Sequence, residues 1–399
     1  MLLWSGELIS SIGGGLTSFG LGVYIFNKTG SAAGMALVTL LGFLPTLVLG
    51  VPAGVLADRY DRRLLMMLGD GCSALGIIYI LICMLSGGAS LAQICTGVLV
   101  SSVFSALLEP SYKATITDLL TKEEFSKASG LVSVAGSARY LFSPVIAGLL
   151  LGVADVKLLL IIDICTFFLT VAGAAIVRKG TPSNATEDNE SFIRSLKDGW
   201  KILTEKHGVL MLVIVSSFIT LFMGMFQILA EPFILSFSDA TTLGIAETVC
   251  ASGMLVSAIY LGMRGIKSGY ALKMAIALSA AGLFMIGFGA TLNIVVIAVF
   301  GFLFFASLPV ANNCLDYLVR TNIPNDAQGR AWGLIGLISQ LGYVVAYALS
   351  GVAADAIGEG TALGVGRGAA IVIIASGICL ALIAISIAFI RSIRSLESV

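Results

Sequence analysis

The stretch GVLADRYDRR, Gly54 to Arg63, places five charged residues in ten positions. Apolar runs flank it at residues 32–57 and 64–86, each longer than the about 20 residues a helix needs to cross about 30 Å of hydrocarbon. So short a charged loop between two such runs is the water-facing turn of a membrane hairpin. Counting outward on the same basis gives spans at residues 2–27, 32–57, 64–86, 91–119, 128–152, 158–177, 209–236, 241–263, 271–290, 293–319, 331–357 and 368–390. The expected fold class is therefore an all-α polytopic membrane protein with twelve transmembrane helices. Composition agrees: of 399 residues, 58% are hydrophobic and 12% charged, with a mean hydropathy of +1.02, whereas a soluble chain carries about 25% charged residues. The start, MLLWSGELISSIGGG, lacks the basic region and cleavage site of a secretory leader, so the first run reads as a retained span.

An even number of spans leaves both termini on one side. Of the 23 Lys and Arg residues, all but Lys28, Lys157, Arg367 and the intramembrane Arg139 fall on that side, which is therefore read as cytoplasmic. One long polar stretch, residues 179–207, links two sets of six helices at residues 1–178 and 208–399. Within it Phe192, Leu196, Trp200 and Leu203 recur at helical spacing among basic residues, predicting a short interfacial helix. The two sets resemble each other. ASGLVSVAGSARYLFSPVIAGLL from Ala128 lines up with AWGLIGLISQLGYVVAYALSGVA from Ala331, matching Gly130 with Gly333, Tyr140 with Tyr343 and Gly148 with Gly351, while Pro110 falls opposite Pro309. Such a duplication predicts two pseudo-symmetric six-helix bundles, the plan of alternating-access transporters.

Several classes are excluded. The seven cysteines lie singly in apolar segments, without the spacing of a metal or redox pair, and read as small packing residues. His207 is a solvated boundary residue at a span end. Zero net charge with dispersed basic residues argues against a nucleic-acid partner. The sequence has no HExxH, no serine–histidine pair, no GxxxxGK[ST] loop and no soluble domain, so neither an enzyme nor an ATP-driven pump is expected. No cofactor or metal is implied, which leaves an ion gradient as the energy source.

The spacing of Gly54, Asp58, Arg59, Arg62 and Arg63 between the second and third spans resembles the G-x-x-x-D-R-x-x-R-R signature of the major facilitator superfamily. Together with GFLPTLVLGVPAGVLADRYDRR, SFIRSLKDGWKIL and GRAWGLIGLISQLGYVVAYALSGVAAD, nearly the whole chain resembles the branch holding macrolide-efflux proteins and related drug:proton antiporters. The resemblance implies the major facilitator fold and a monomer in a bacterial cytoplasmic membrane, whose partners are protons, lipids and a small amphipathic substrate. It also implies that these five residues and Asp118, in ATITDLLTKEEF, form a latch that holds the halves in the outward-facing state. By residue chemistry alone, Asp58 can accept from a helix N-terminus or pair with a guanidinium, and Arg62 and Arg63 can reach carboxylates at other helix ends. A plain positive-inside anchor is the other reading; it accounts for Arg59 and Arg63 but not Asp58. Two departures stand out. Asp61 occupies a position where many members carry glycine, and the second-half loop, MRGIKSG, keeps Arg264 and Lys267 without an acid. YLFSPVIAGLL resembles the antiporter signature of the fifth span, with Ser143 and Leu149 in place of its glycines.

A charge at the centre of a span costs roughly 2.5–3.5 kcal/mol, so one that persists faces a cavity or a partner. In the family's fold the first, fourth, seventh and tenth helices line the cavity, and here they carry Glu7, Glu109, Glu231 and Asp316. Asp316 lies level with Asp118, with Arg320 in reach. Glu109 lies about 13 Å deeper than Asp118 and precedes Pro110, whose missing N–H loosens the helix. It is the first candidate for a protonatable cavity residue, against the alternative of a structural carboxylate. Glu231, in LAEPFIL, is the second and Glu7 the third. Arg139, in mid-span, cannot deprotonate and needs a carboxylate, either Glu247 on the eighth span or Asp163 on the sixth. The apolar lining expected around these acids is Phe19, Phe218, Phe222, Met223, Met225, Phe226, Phe302, Phe304 and Phe305, which suits lipophilic cations; the other reading, true of most of them, is that they face lipid or neighbouring helices. These features point to a proton-coupled efflux antiporter for lipophilic or cationic drugs such as macrolides. Export of a native metabolite, siderophore or lysolipid is the alternative, and a membrane sensor without transport is a third reading.

Overall fold

The structure, a computed structural model, describes residues 2–119, 122–180, 200–201, 203–204, 207–324, 328–360 and 364–398. Among them are helices and no strand: α1 (Leu2–Thr29), α2 (Ala32–Arg59), α3 (Arg62–Leu85), α4 (Leu91–Ser105), α5 (Leu108–Leu119), α6 (Lys122–Val153), α7 (Val156–Gly180), α8 (His207–Leu235), α9 (Ala240–Arg264), α10 (Tyr270–Gly289), α11 (Ile294–Asn322), α12 (Gln328–Gly360), α13 (Val365–Phe389) and the short α14 (Arg391–Arg394). Twelve spans are long and apolar enough to cross a membrane, with α4 and α5 together forming the fourth. The interfacial helix expected around Phe192 and Leu196 lies outside the described residues.

The break in the fourth span follows from Pro110. Its nitrogen cannot donate to Ala106, and its ring crowds that carbonyl. The helix therefore ends at Ser105, turns through Ala106 and Leu107 with Leu107 N bonded to Phe104 O at 3.0 Å, and restarts at Leu108. In the second half the matching Pro309 sits inside the continuous α11.

The chain divides into two compact units: Met1–Gly30, Gly34–Asp188 and Asp239–Ile245 in the first, and Ser31–Ala33, Asn189–Ser238 and Ala246–Val399 in the second. The duplication read in the sequence reappears as a repeated packing pattern. In the first unit α1 packs on α6 and α7, and α3 on α4 and α7; in the second α8 packs on α12 and α13, and α10 on α11 and α13. Because lipid tails are as apolar as leucine, close van der Waals contact through small residues does this work in a membrane. A Cβ on Gly282 of α10 would lie 2.5 Å from the Gly377 carbonyl oxygen of α13, and one on Gly377 would lie 2.6 Å from that of Gly282. Only glycine allows those backbones to meet. Leu21, Ile25, Ile80, Ile94 and Leu160 fill the core of the first unit, and Leu212, Leu278, Leu318 and Ile387 that of the second.

Polar residues hold the span ends. Ser90 and Gln93 form a capping box on α4, and Asn293 caps α11. Asp239 accepts from Thr242 N at 2.7 Å at the start of α9, and that hydrogen bond holds its carboxyl below the usual carboxylate range. Asp155, bound by Lys157 at 2.8 Å, is lowered in the same way by that partner. In the second unit Asp355 takes Ser31 Oγ at 2.6 Å, Ala32 N at 2.8 Å and Ala33 N at 3.0 Å, capping the first turn of α2.

Candidate functional site

The charged loop that fixed the fold resolves into separate parts. Asp61 is the N-cap of α3, accepting from Arg63 N at 3.0 Å, which gives the departure from glycine a structural role. Arg62, 9% exposed, donates through Nε to Ala57 O at 3.0 Å and through Nη1 to Ala114 O at 3.2 Å. It thus ties the C-terminal turn of α2 to α5, satisfying carbonyls of the kind a helix end leaves without partners. Arg63 is buried and Arg59 exposed. A Cβ on Gly54 would meet nothing within 4 Å. The side chains of Asp58 and Asp118, the two acids expected in the latch, lie outside the described residues.

In the second unit Glu231 on α8 and Glu247 on α9 are both half-buried, and their charges act on each other. Among the described residues neither makes an ion pair or a hydrogen bond. Gln227, one turn before Glu231 on the same face of α8, bonds to the Tyr347 hydroxyl of α12 at 3.0 Å. Tyr343 of α12, its ring 5.7 Å from that of Tyr347, lies over Met223 one turn further back. A polar stripe of Gln227, Glu231 and tyrosine therefore runs along α8. Behind it Phe226 packs its ring 4.7 Å from Phe288 and 4.3 Å from Phe304, and Phe233 packs at 5.9 Å from Phe288. Of the side chains weighed for the lining, Phe19, Phe222, Phe226 and Phe304 are buried in helix packing, in line with the second reading. Phe302, Phe305, Met223 and Met225 are half-buried, and Phe218 is exposed. Helix packing takes up these rings because an aromatic edge-to-face pair stabilises a core as readily as it lines a cavity.

The first unit holds its own set of acids. Glu7 of α1 is half-buried and accepts from the Ser11 hydroxyl. Asp163 of α7 is 1% exposed, with Thr166 Oγ1 at 3.5 Å, and the charge of Arg139 on α6 acts on it. Of the two carboxylates weighed for Arg139, Asp163 is the one that shares its unit. Glu247 belongs to the second unit, with Glu231 as its neighbour. Glu109, expected as a desolvated cavity carboxylate, is 76% exposed and paired with Lys113. The break before Pro110 explains the difference. Glu109 stands in the first turn of a new helix, where an acid is favoured by the helix dipole and a lysine four residues on is in reach. Asp316, exposed on α11, has the charge of Arg320 acting on it.

Asp70 was not among the candidates read from the sequence. It lies in α3, is 5% exposed, and interacts electrostatically with Glu7 and Asp163. The signal is present in LMMLGDGCSAL, a lone acid within an apolar span, on a third helix that is not among those expected to line the cavity.

The family model of the Major Facilitator Superfamily matches residues 3–347. Macrolide efflux protein A of Streptococcus pyogenes is 27% identical over 373 residues, covering 89% of this chain and 89% of that protein. The multidrug efflux pump Tap of Mycolicibacterium fortuitum is 22% identical over 378 residues, covering 90% of each. Among solved structures, that of the nucleoside transporter NupG is similar in fold, with a TM-score of 0.77 at 12% identity over 97% of this chain and 98% of that one. Twelve spans, a duplicated six-helix packing pattern and a family match through both units lead to one conclusion: the chain belongs to the major facilitator superfamily of multi-pass membrane transporters.

Proposed function

We propose that the chain is a proton-coupled exporter of lipophilic or cationic drugs such as macrolides. It works by alternating access as a monomer in a bacterial cytoplasmic membrane, with both termini cytoplasmic, the proton gradient as its energy source and the Gly54–Arg63 loop as its conformational latch. The observation that carries this reading is the pair Glu231 and Glu247, two neighbouring carboxylates without a cation beside them among the described residues. Uncompensated charge inside a span is expensive. A proton relieves it in one part of the cycle and a cationic or polarisable substrate in the other, and competition for the same carboxylates couples the two fluxes. The substrate class is supported by the relatives named as macrolide and multidrug efflux proteins.

The test uses the purified full chain in proteoliposomes enclosing a pH-sensitive dye, with erythromycin and tetraphenylphosphonium as probes. Addition of either probe is expected to drive proton movement in the wild type, and Glu231→Gln and Glu247→Gln are each expected to abolish it. Probe movement without protons in the wild type overturns antiport; unchanged coupling in both variants removes the pair from the mechanism.

A further inference from the structure

The pair in the second unit does not account for the acids of the first. Asp70 is almost fully buried, and its Oδ1 has no hydrogen-bond partner. Thr170 on α7 lies within hydrogen-bonding reach of the Asp70 carboxyl. The Thr170 hydroxyl also lies 2.8 Å from Phe167 O, so its single proton is shared between the two acceptors. A carboxylate buried with one oxygen unpartnered carries an uncompensated charge, which a bound proton removes.

The surroundings favour the same state. Of the elements packed on α3, α7 brings Asp163, and α4 brings no charge, since Ser73 there meets Ser101 O at 3.0 Å and the Ser105 hydroxyl at 2.9 Å. From α5 comes Tyr112, 3% exposed, whose hydroxyl has no partner and whose ring oxygen senses the charge of Glu7. From α1, Glu7 itself adds negative charge at Asp70 and interacts in turn with the exposed Glu109. α3 adds only the half-buried thiol of Cys72 nearby. The cation of this set, Arg139 on α6, acts on Asp163. Among the described residues these acids do not converge into a metal-holding group, so the ligand they suit is the proton.

We propose that Asp70 is a proton-binding residue of the transport cycle. This rests on the proton-coupled reading above. In the release step the Asp70 carboxyl gives up its proton and becomes the carboxylate. No electron moves, and the carboxyl returns to its starting form when the proton site reloads.

Two measurements test it. Infrared difference spectra of the detergent-solubilised full chain at neutral pH are expected to show a neutral carboxylic-acid carbonyl band in the wild type that Asp70→Asn lacks and that Asp70→Glu restores at a shifted position. In dye-loaded proteoliposomes, Asp70→Asn is expected to lose erythromycin-driven proton movement while downhill erythromycin flux continues. Identical spectra for wild type and Asp70→Asn overturn the proposal, as does wild-type proton coupling in Asp70→Asn. The infrared measurement needs no transport, so a wild type that moves no protons overturns the exporter reading while the spectra still decide the state of Asp70.

Discussion

Replacing Gly13 or its neighbour Gly14 by alanine isolates the contact that seats α1 against α7. A Cβ at Gly13 would lie 2.5 Å from Thr166 Oγ1 and 2.8 Å from Asp163 Oδ1, whereas one at Gly14 would meet nothing within 4 Å. Both substitutions share the gain from a less flexible unfolded chain, about 0.4–1 kcal/mol. Only Gly13→Ala must displace buried atoms, and overpacking of that kind costs about 1–3 kcal/mol. The Thr166 hydroxyl it strikes is bonded to Asp163 O at 2.7 Å, so a disturbed hydrogen bond adds about 1 kcal/mol. Asp163 is 1% exposed and has no solvent to swing into. The expected gap between the two variants is therefore roughly 2–4 kcal/mol, with Gly14→Ala neutral or slightly stabilising. Denaturant titration in detergent, followed by circular dichroism, reads it as a shift in midpoint at constant slope. Coincident midpoints for the two variants would refute the close approach of α1 to Asp163 and Thr166.

Arg62→Ala removes the donors of two carbonyls, Ala57 O and Ala114 O, and is expected to destabilise by about 2–4 kcal/mol, since bonds from charged donors are the stronger kind. Arg62→Lys, which lacks the fork needed to span both, should recover about half of that; a lysine variant as stable as the wild type in thermal unfolding contradicts the two-carbonyl account. Asp239→Ala removes the cap of α9, and because the carboxyl is exposed the expected cost is at the low end, about 0.5–1 kcal/mol. The folded state lowers the titration of this carboxyl, so its contribution is present above the ordinary carboxylate range and is lost as the pH falls through the folded value. The stability difference from the wild type should be flat near neutrality and close on acidification; a difference that widens in acid speaks against the cap.

The twelve spans and the charged turn at Gly54–Arg63 were legible because hydrophobic length and charge are properties of each segment taken alone. The duplication was legible too, in Gly148 and Gly351, which the structure places at equivalent approaches: Gly148 against Thr241 in the first unit and Gly351 against Ala32 in the second. Pro110 was read as a loosening of the fourth span, but that it splits the span into α4 and α5, and turns Glu109 into an exposed first-turn residue, depended on where the chain restarts. Which aromatic residues pack and which line a cavity was not legible for a similar reason, since nothing in a segment says whether Phe226 faces a cavity or stacks on Phe304.

By itself, then, the sequence determined the class of fold, the number of spans, the duplicated halves and the family, because the bilayer tests each helix separately for length and polarity. Only the tertiary structure decided which polar groups come under each other's charge: Glu231 and Glu247, Arg139 and Asp163, and Asp70 and Glu7. Those relations depend on how each helix is rotated about its own axis, and that rotation is set by close contacts between different spans, such as Gly13 on Thr166 and Gly282 on Gly377.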